Sequence, residues 1–161
     1  MKKYFIIISL IISSLIPNIS NAQKGEKLIG ILAGYNTENK SALAGIAFQY
    51  RFSKYFRISP NIQYVFKNNS ISAYEINLNA HVPFALDTKL NFYPLAGVSY
   101  QSWRTGIKGE DTYTYNKFGF NIGAGLEYMA TSSLKVTLEG NYSWIKRHDS
   151  GGFFIGLGYL F

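Results

Sequence analysis

His148 and Ser150 stand two residues apart and are of the types that serve as imidazole base and hydroxyl nucleophile. Such a pair needs a carboxylate to orient the histidine. Asp149 is too close in the chain to do so, and no Asp or Glu follows it. The next residues, Gly151 and Gly152, read as a flexible turn. The other histidine, His81, has no second His, Cys or carboxylate at ligand spacing beside it, so neither a metal nor a cofactor is expected. Gly119, Gly123 and Gly125 fall within an alternating run and open no helix, which argues against a phosphate cradle. They are expected to leave room for large side chains such as Tyr93 and Phe154. The basic residues are dispersed and match no nucleic-acid-binding motif. What remains is an assortment of both signs: Arg51, Arg57, Glu75, His81, Glu127, Lys135 and Glu139.

These seven residues share a positional rule. Each falls on the more polar face of a segment whose residues alternate with a period of two, the signature of a strand with unlike faces. From Phe56 to Lys67, Phe56, Ile58, Pro60, Ile62, Tyr64 and Phe66 oppose Arg57, Ser59, Asn61, Gln63, Val65 and Lys67. Comparable segments run from Ala42 to Phe52, Tyr74 to Phe84, Leu90 to Gln101, Phe118 to Tyr128, Leu134 to Trp144 and Phe153 to Phe161. The segment from Lys27 to Tyr35 is apolar on both faces, and its register is open. Eight strands are therefore expected. Pro60 and Pro94 lie inside two of them, where a missing amide hydrogen should produce bulges.

The chain opens with Lys2 and Lys3, an apolar run from Tyr4 to Ile16, then Pro17 and the small residues Ser20, Asn21 and Ala22. This layout predicts a secretory signal peptide over residues 1–22, cleaved after Ala22, and one domain over residues 23–161. The run falls short of the roughly 20 residues of a spanning helix. With no cysteine, the chain forms no disulfide and no acylated lipoprotein anchor. Aromatic residues make up 17% and charged residues only 16%, where soluble domains carry about a quarter charged. An apolar exterior spread over alternating segments of about 9–11 residues is what a membrane-crossing barrel requires. Lipid demands closure of the sheet. The predicted fold is all-β, an eight-stranded antiparallel up-and-down transmembrane β-barrel.

Connections alternate as well. Short ones are expected at Ser53 and Lys54, Leu86 to Thr88, and Ala130 to Ser132. Longer ones are expected at Asn36 to Ser41, Asn68 to Ser72, Arg104 to Asn116 and Arg147 to Gly151. Short turns face the periplasm in outer-membrane barrels, which would put both chain ends there. The seven ionisable residues would then line a lumen wide enough only for side chains, so they should pair with one another and with amides.

The final stretch Gly158, Tyr159, Leu160 and Phe161, with apolar residues at Phe153, Ile155, Leu157, Tyr159 and Phe161, resembles the C-terminal β-signal of outer-membrane proteins. That resemblance implies recognition by the barrel-assembly machinery. The mature chain resembles small eight-stranded barrels of the OmpX type and the barrel domain of OmpA-like proteins. It departs from the latter by ending at the barrel, so no cell-wall anchoring is implied. The resemblance implies bacterial outer-membrane lipid as surroundings, and the formal charge of +7 suits anionic lipopolysaccharide or an acidic surface partner. In size the chain is also similar to small lipid A deacylases, which use a His and a Ser two residues apart, but it lacks their later carboxylate. Three activities stay open: a structural or surface-interaction and adhesion role without catalysis, a narrow pore for small solutes or ions, and lipid A modification.

Overall fold

The computed structural model describes residues 25–68, 70–105, 113–145 and 149–161. In chain order the strands are β1 Lys27–Asn36, β2 Ser41–Ser53, β3 Phe56–Asn68, β4 Ile71–His81, β5 Phe84–Ala85, β6 Leu90–Thr105, β7 Tyr113–Met129, β8 Leu134–Ile145 and β9 Ser150–Leu160. They lie antiparallel in the order β4-β3-β2-β1-β9-β8-β7-β6-β5, and a β4–β6 pairing joins the two ends of the sheet. Eight long strands thus close into the barrel expected from the alternation. The two-residue β5 continues the line of β4 against β6, with Phe84 opposite Phe92. Pro83 explains the break between them, because it has no N–H to donate. Val82 N still donates to Pro94 O at 3.1 Å.

The register left open for the first strand is set by two neighbours. Ile31 faces Ile46 of β2 and Leu157 of β9, so Leu28, Gly30, Leu32, Gly34 and Asn36 turn toward the lumen. At the seam Lys27 N donates to Phe161 O at 3.2 Å and Phe161 N donates to Lys27 O at 2.9 Å. The last strand closes on the first.

Several local expectations are corrected. The register runs unbroken past Pro60 opposite Leu78 and past Pro94 opposite Ala124. At Pro60 the ladder toward β2 skips a step between Ala47↔Asn61 and Tyr50↔Ile58 without slipping, as expected where an N–H is missing but no residue is added. The irregularities lie instead between Arg51 and Ser53 and between Val65 and Asn68, both next to connections. The predicted loop from Arg104 to Asn116 is shorter, because Arg104 pairs with Thr114 and Thr105 with Tyr113; residues 106–112 lie outside the described set. The stretch from Asn68 to Ser72 is mostly strand, with Ser70 at φ 67° in the turn. Gly151 and Gly152 belong to β9, opposite Tyr142 and Asn141.

Two surfaces result. Aliphatic side chains form the middle of the outer wall, with Ile31 63% and Leu138 60% exposed. Aromatic residues flank them, Phe52, Tyr128 and Phe161 toward the end where β1 begins and β9 finishes and Phe66, Tyr74 and Trp144 toward the far end. A band of this kind between two aromatic girdles matches hydrocarbon between two interfaces. The opposite faces of the long strands turn into the lumen, where their residues are mostly buried or half-buried.

Candidate functional site: a filled lumen

At the end of the lumen where β1 begins and β9 finishes, charge is concentrated and paired. Arg57 Nη1 lies 2.6 Å and Lys135 Nζ 3.1 Å from the same oxygen of Glu127, and all three side chains are at most 2% exposed. Lys135 Nζ also donates to Gln49 Oε1 at 2.8 Å, and Asn91 Nδ2 donates to Glu127 Oε1 at 3.0 Å. Arg57 Nε donates to His81 Nδ1 at 3.2 Å, and His81 stacks on Tyr93 with ring centroids 4.7 Å apart. The Arg57 guanidinium lies over the same ring at 4.7 Å, while Tyr93 Oη donates to Glu139 Oε2 at 2.9 Å. Arg51 is joined to Glu26 at 3.6 Å, at the entrance to β1. Burial forces this arrangement, since an enclosed charge without a partner is costly.

Six of the seven ionisable residues expected to meet do so here. Glu75 does not. It sits toward the far end, where Asn36 Nδ2 donates to it across 3.5 Å. His81 acts as an acceptor and stacking surface within the cluster, and among the described residues no three or more His, Cys, Asp or Glu gather as a metal centre.

Amides fill the middle. Asn121 Nδ2 donates to Asn77 and Asn79, both at 3.1 Å, while Asn77 and Gln63 both donate to Asn61 Oδ1. Toward the far end an apolar layer of Leu43, Val65, Ala73, Trp103 and Phe154 completes the filling, with Leu32, Ile71 and Tyr115 packed against it. Trp103 is 2% exposed and donates through Nε1 to Gln101 Oε1 at 2.8 Å. A cavity of about 50 Å³ lies beside Gln49, Gln63 and Lys135, with room for a few waters.

Glycines make this filling possible. A Cβ on Gly125 would run into the Tyr93 ring, as expected from the sequence. Space for Phe154 comes instead from Gly34 and Gly152, whose added Cβ atoms would strike its ring. Sequence reasoning passed over Trp103, just beyond its predicted segment, and Glu26, ahead of the first strand. The even spacing of Trp103 from Tyr93 and Gln101 was the available signal, since it assigns Trp103 to the inward face.

The hydrolase pair fares differently. His148 lies outside the described residues. Ser150 is 4% exposed and faces into the barrel, while Asp149 accepts from the Ile145 amide at 3.0 Å.

The far rim carries the exposed basic residues Lys40, Lys67 and Arg104, against Asp149 and the half-buried Glu38. Burial, with Asp149 nearby, pushes the Glu38 carboxyl up to about 7, against the opposing effect of Lys117. Its loop is pinned: Asn39 Nδ2 donates to Ile71 O at 3.1 Å, and Asn68 Nδ2 donates to Asn39 O at 2.7 Å.

The family described as outer membrane protein beta-barrel domain matches residues 14–161. The chain belongs to that family. Similar solved structures agree with this outer-membrane barrel on the fold. The N-terminal barrel domain of Pseudomonas aeruginosa OprF matches with TM-score 0.74 at 17% identity, covering 86% of this chain and 98% of that one. Neisserial surface protein A matches with TM-score 0.71 at 16% identity, covering 88% and 100%. Ail, the attachment invasion locus protein of Yersinia pestis, matches with TM-score 0.64 at 18% identity, covering 86% and 100%. A search of the curated proteins finds no match. The barrel is a protein of the bacterial outer membrane, with lipid around its outer wall.

Proposed function

We propose that this outer-membrane barrel has a structural and surface-interaction role, without catalysis, and meets its partners through the far rim. The filled lumen carries this reading: among the described residues charged, amide and apolar layers follow one another along its length, with small cavities of about 50 and 10 Å³ between them. Such a lumen favours an interaction role over a narrow pore. Ser150, turned inward, likewise favours it over lipid A modification. Residues 1–22 act as a cleaved export signal, and Phe153, Ile155, Leu157, Tyr159 and Phe161 present the last strand to the barrel-assembly machinery. Short turns and both chain ends then face the periplasm.

Lys40, Lys67 and Arg104 give the far rim an excess of exposed positive charge among its described residues. The partner chemistry that suits this rim is anionic, as on lipopolysaccharide or an acidic glycan. The related fold of Ail has been solved with the heparin analogue sucrose octasulfate. Purified protein in lipid nanodiscs should bind immobilised lipopolysaccharide or heparin, more weakly as salt rises. Reversing the three charges in Lys40→Glu, Lys67→Glu and Arg104→Glu should remove most of that binding. Absence of binding to either polymer, or binding indifferent to salt and to the reversals, contradicts the proposed partner chemistry. The lipid A mass spectrum of cells should be the same with and without the protein; an acyl chain lost in its presence contradicts the non-catalytic reading.

A further inference from the structure

The far half of the lumen holds a polar site built unlike the ion-pair cluster. Glu75 is 6% exposed, yet among the described residues its carboxylate is met only by the long contact from Asn36, and no Lys or Arg of that set comes within ion-pair distance. A buried carboxylate in that position is short of partners, since charges taken from water are normally paired or bound to a metal. It lines a cavity of about 10 Å³ together with Asn36, Asn77, Asn141, Ser143 and Ser150. That space accommodates one water-sized occupant.

The donors around this cavity are largely committed elsewhere. Asn77 Nδ2 donates to Asn61 at 2.9 Å, and Ser143 Oγ donates to Asn121 Oδ1 at 2.7 Å. The Ser143 oxygen therefore retains lone pairs but no free proton. Asn36 accepts the Asn39 amide at 3.0 Å, which fixes its side chain over the site. One carboxylate, neutral oxygens and a single small space define the occupant by charge and size. A divalent ion would exceed the one carboxylate lining the cavity, and calcium takes six to eight oxygens.

We propose that the cavity beside Glu75 is a monovalent-cation site that takes a sodium ion without its hydration shell, held by the Glu75 carboxylate and the oxygens of Ser143 and Ser150. Binding to the folded barrel alone raises its stability in a saturable way. The test is thermal unfolding of the refolded full-length mature protein in nanodiscs, followed by tryptophan fluorescence in sodium, potassium or N-methylglucamine chloride at equal ionic strength. The midpoint should rise by several degrees and saturate in sodium, respond less to potassium and not respond to the organic cation. Glu75→Gln should lose the sodium response. Ser150→Ala, which keeps the carboxylate and removes one oxygen, should weaken it and provides the test should Glu75→Gln fail to refold. Identical midpoints in the three salts, a response confined to added calcium, or a full sodium response in either variant would overturn the proposal.

Discussion

Arg57 and Glu127 meet 2.6 Å apart inside the barrel, and Lys135 reaches the same carboxylate oxygen at 3.1 Å. One carboxylate thus joins two cations contributed by β3 and β8. Glu127→Gln should leave both cations buried without their counter-charge and cost about 3–5 kcal/mol. Equilibrium urea unfolding in a lipid environment measures this. Replacing all three residues together with Met and Leu should recover much of the loss, because no uncompensated charge remains. An unchanged unfolding midpoint in Glu127→Gln would show that the pair is solvated and energetically idle.

Tyr93 depends on Gly125 for its place, and through that place reaches Glu139 at 2.9 Å. Gly125→Ala should displace the ring and cost about 1–3 kcal/mol. Tyr93→Leu should remove most of that penalty, giving a clear coupling energy in a double-mutant cycle. Strict additivity would separate the two positions and refute the packing explanation.

Glu38 should make the far rim sensitive to pH. Its folded value of about 7 lies above the usual carboxylate value, chiefly because burial opposes the charge. The folded state therefore binds the proton more tightly than the unfolded chain does. The contribution to stability is fully present below the unfolded value of 4.5 and is lost as pH rises through about 7. Glu38→Gln should flatten the pH dependence of the unfolding midpoint over this window and be the more stable protein at its alkaline end. Parallel curves for the two proteins would assign the pH dependence to other groups.

Phe161 is exposed on the outer wall, while its backbone completes the ladder to Lys27. Phe161→Ala keeps the ladder and removes only the ring. In cells it should lower the amount of barrel reaching the outer membrane several-fold, whereas protein refolded in detergent should unfold at nearly the same denaturant concentration. Wild-type abundance in the membrane fraction would deny the side chain a role in assembly.

The architecture was legible because a lipid-facing wall and a filled lumen impose opposite demands on successive residues. Arg57, Ser59, Asn61, Gln63 and Val65 could be assigned to one face by parity alone, and all five are buried. Parity does not give height along the barrel. Glu75 was therefore grouped with Arg57 and Lys135, although the strand offsets put it near Asn36 at the other end. The expected bulges at Pro60 and Pro94 failed for a related reason: a missing donor interrupts a hydrogen bond, but only an inserted residue shifts register. Partners across the lumen, such as Tyr93 with Glu139 and Lys135 with Gln49, depend on closure and on side-chain length. No local pattern encodes them.

The central claim is that this barrel is closed through its middle and works from its rim. Current recorded across a planar bilayer containing the refolded mature protein tests it most directly. The packed layers from Arg57 to Trp103 predict a silent trace at voltages the membrane withstands. Reproducible unitary steps that scale with protein inserted would contradict it and make the barrel a pore.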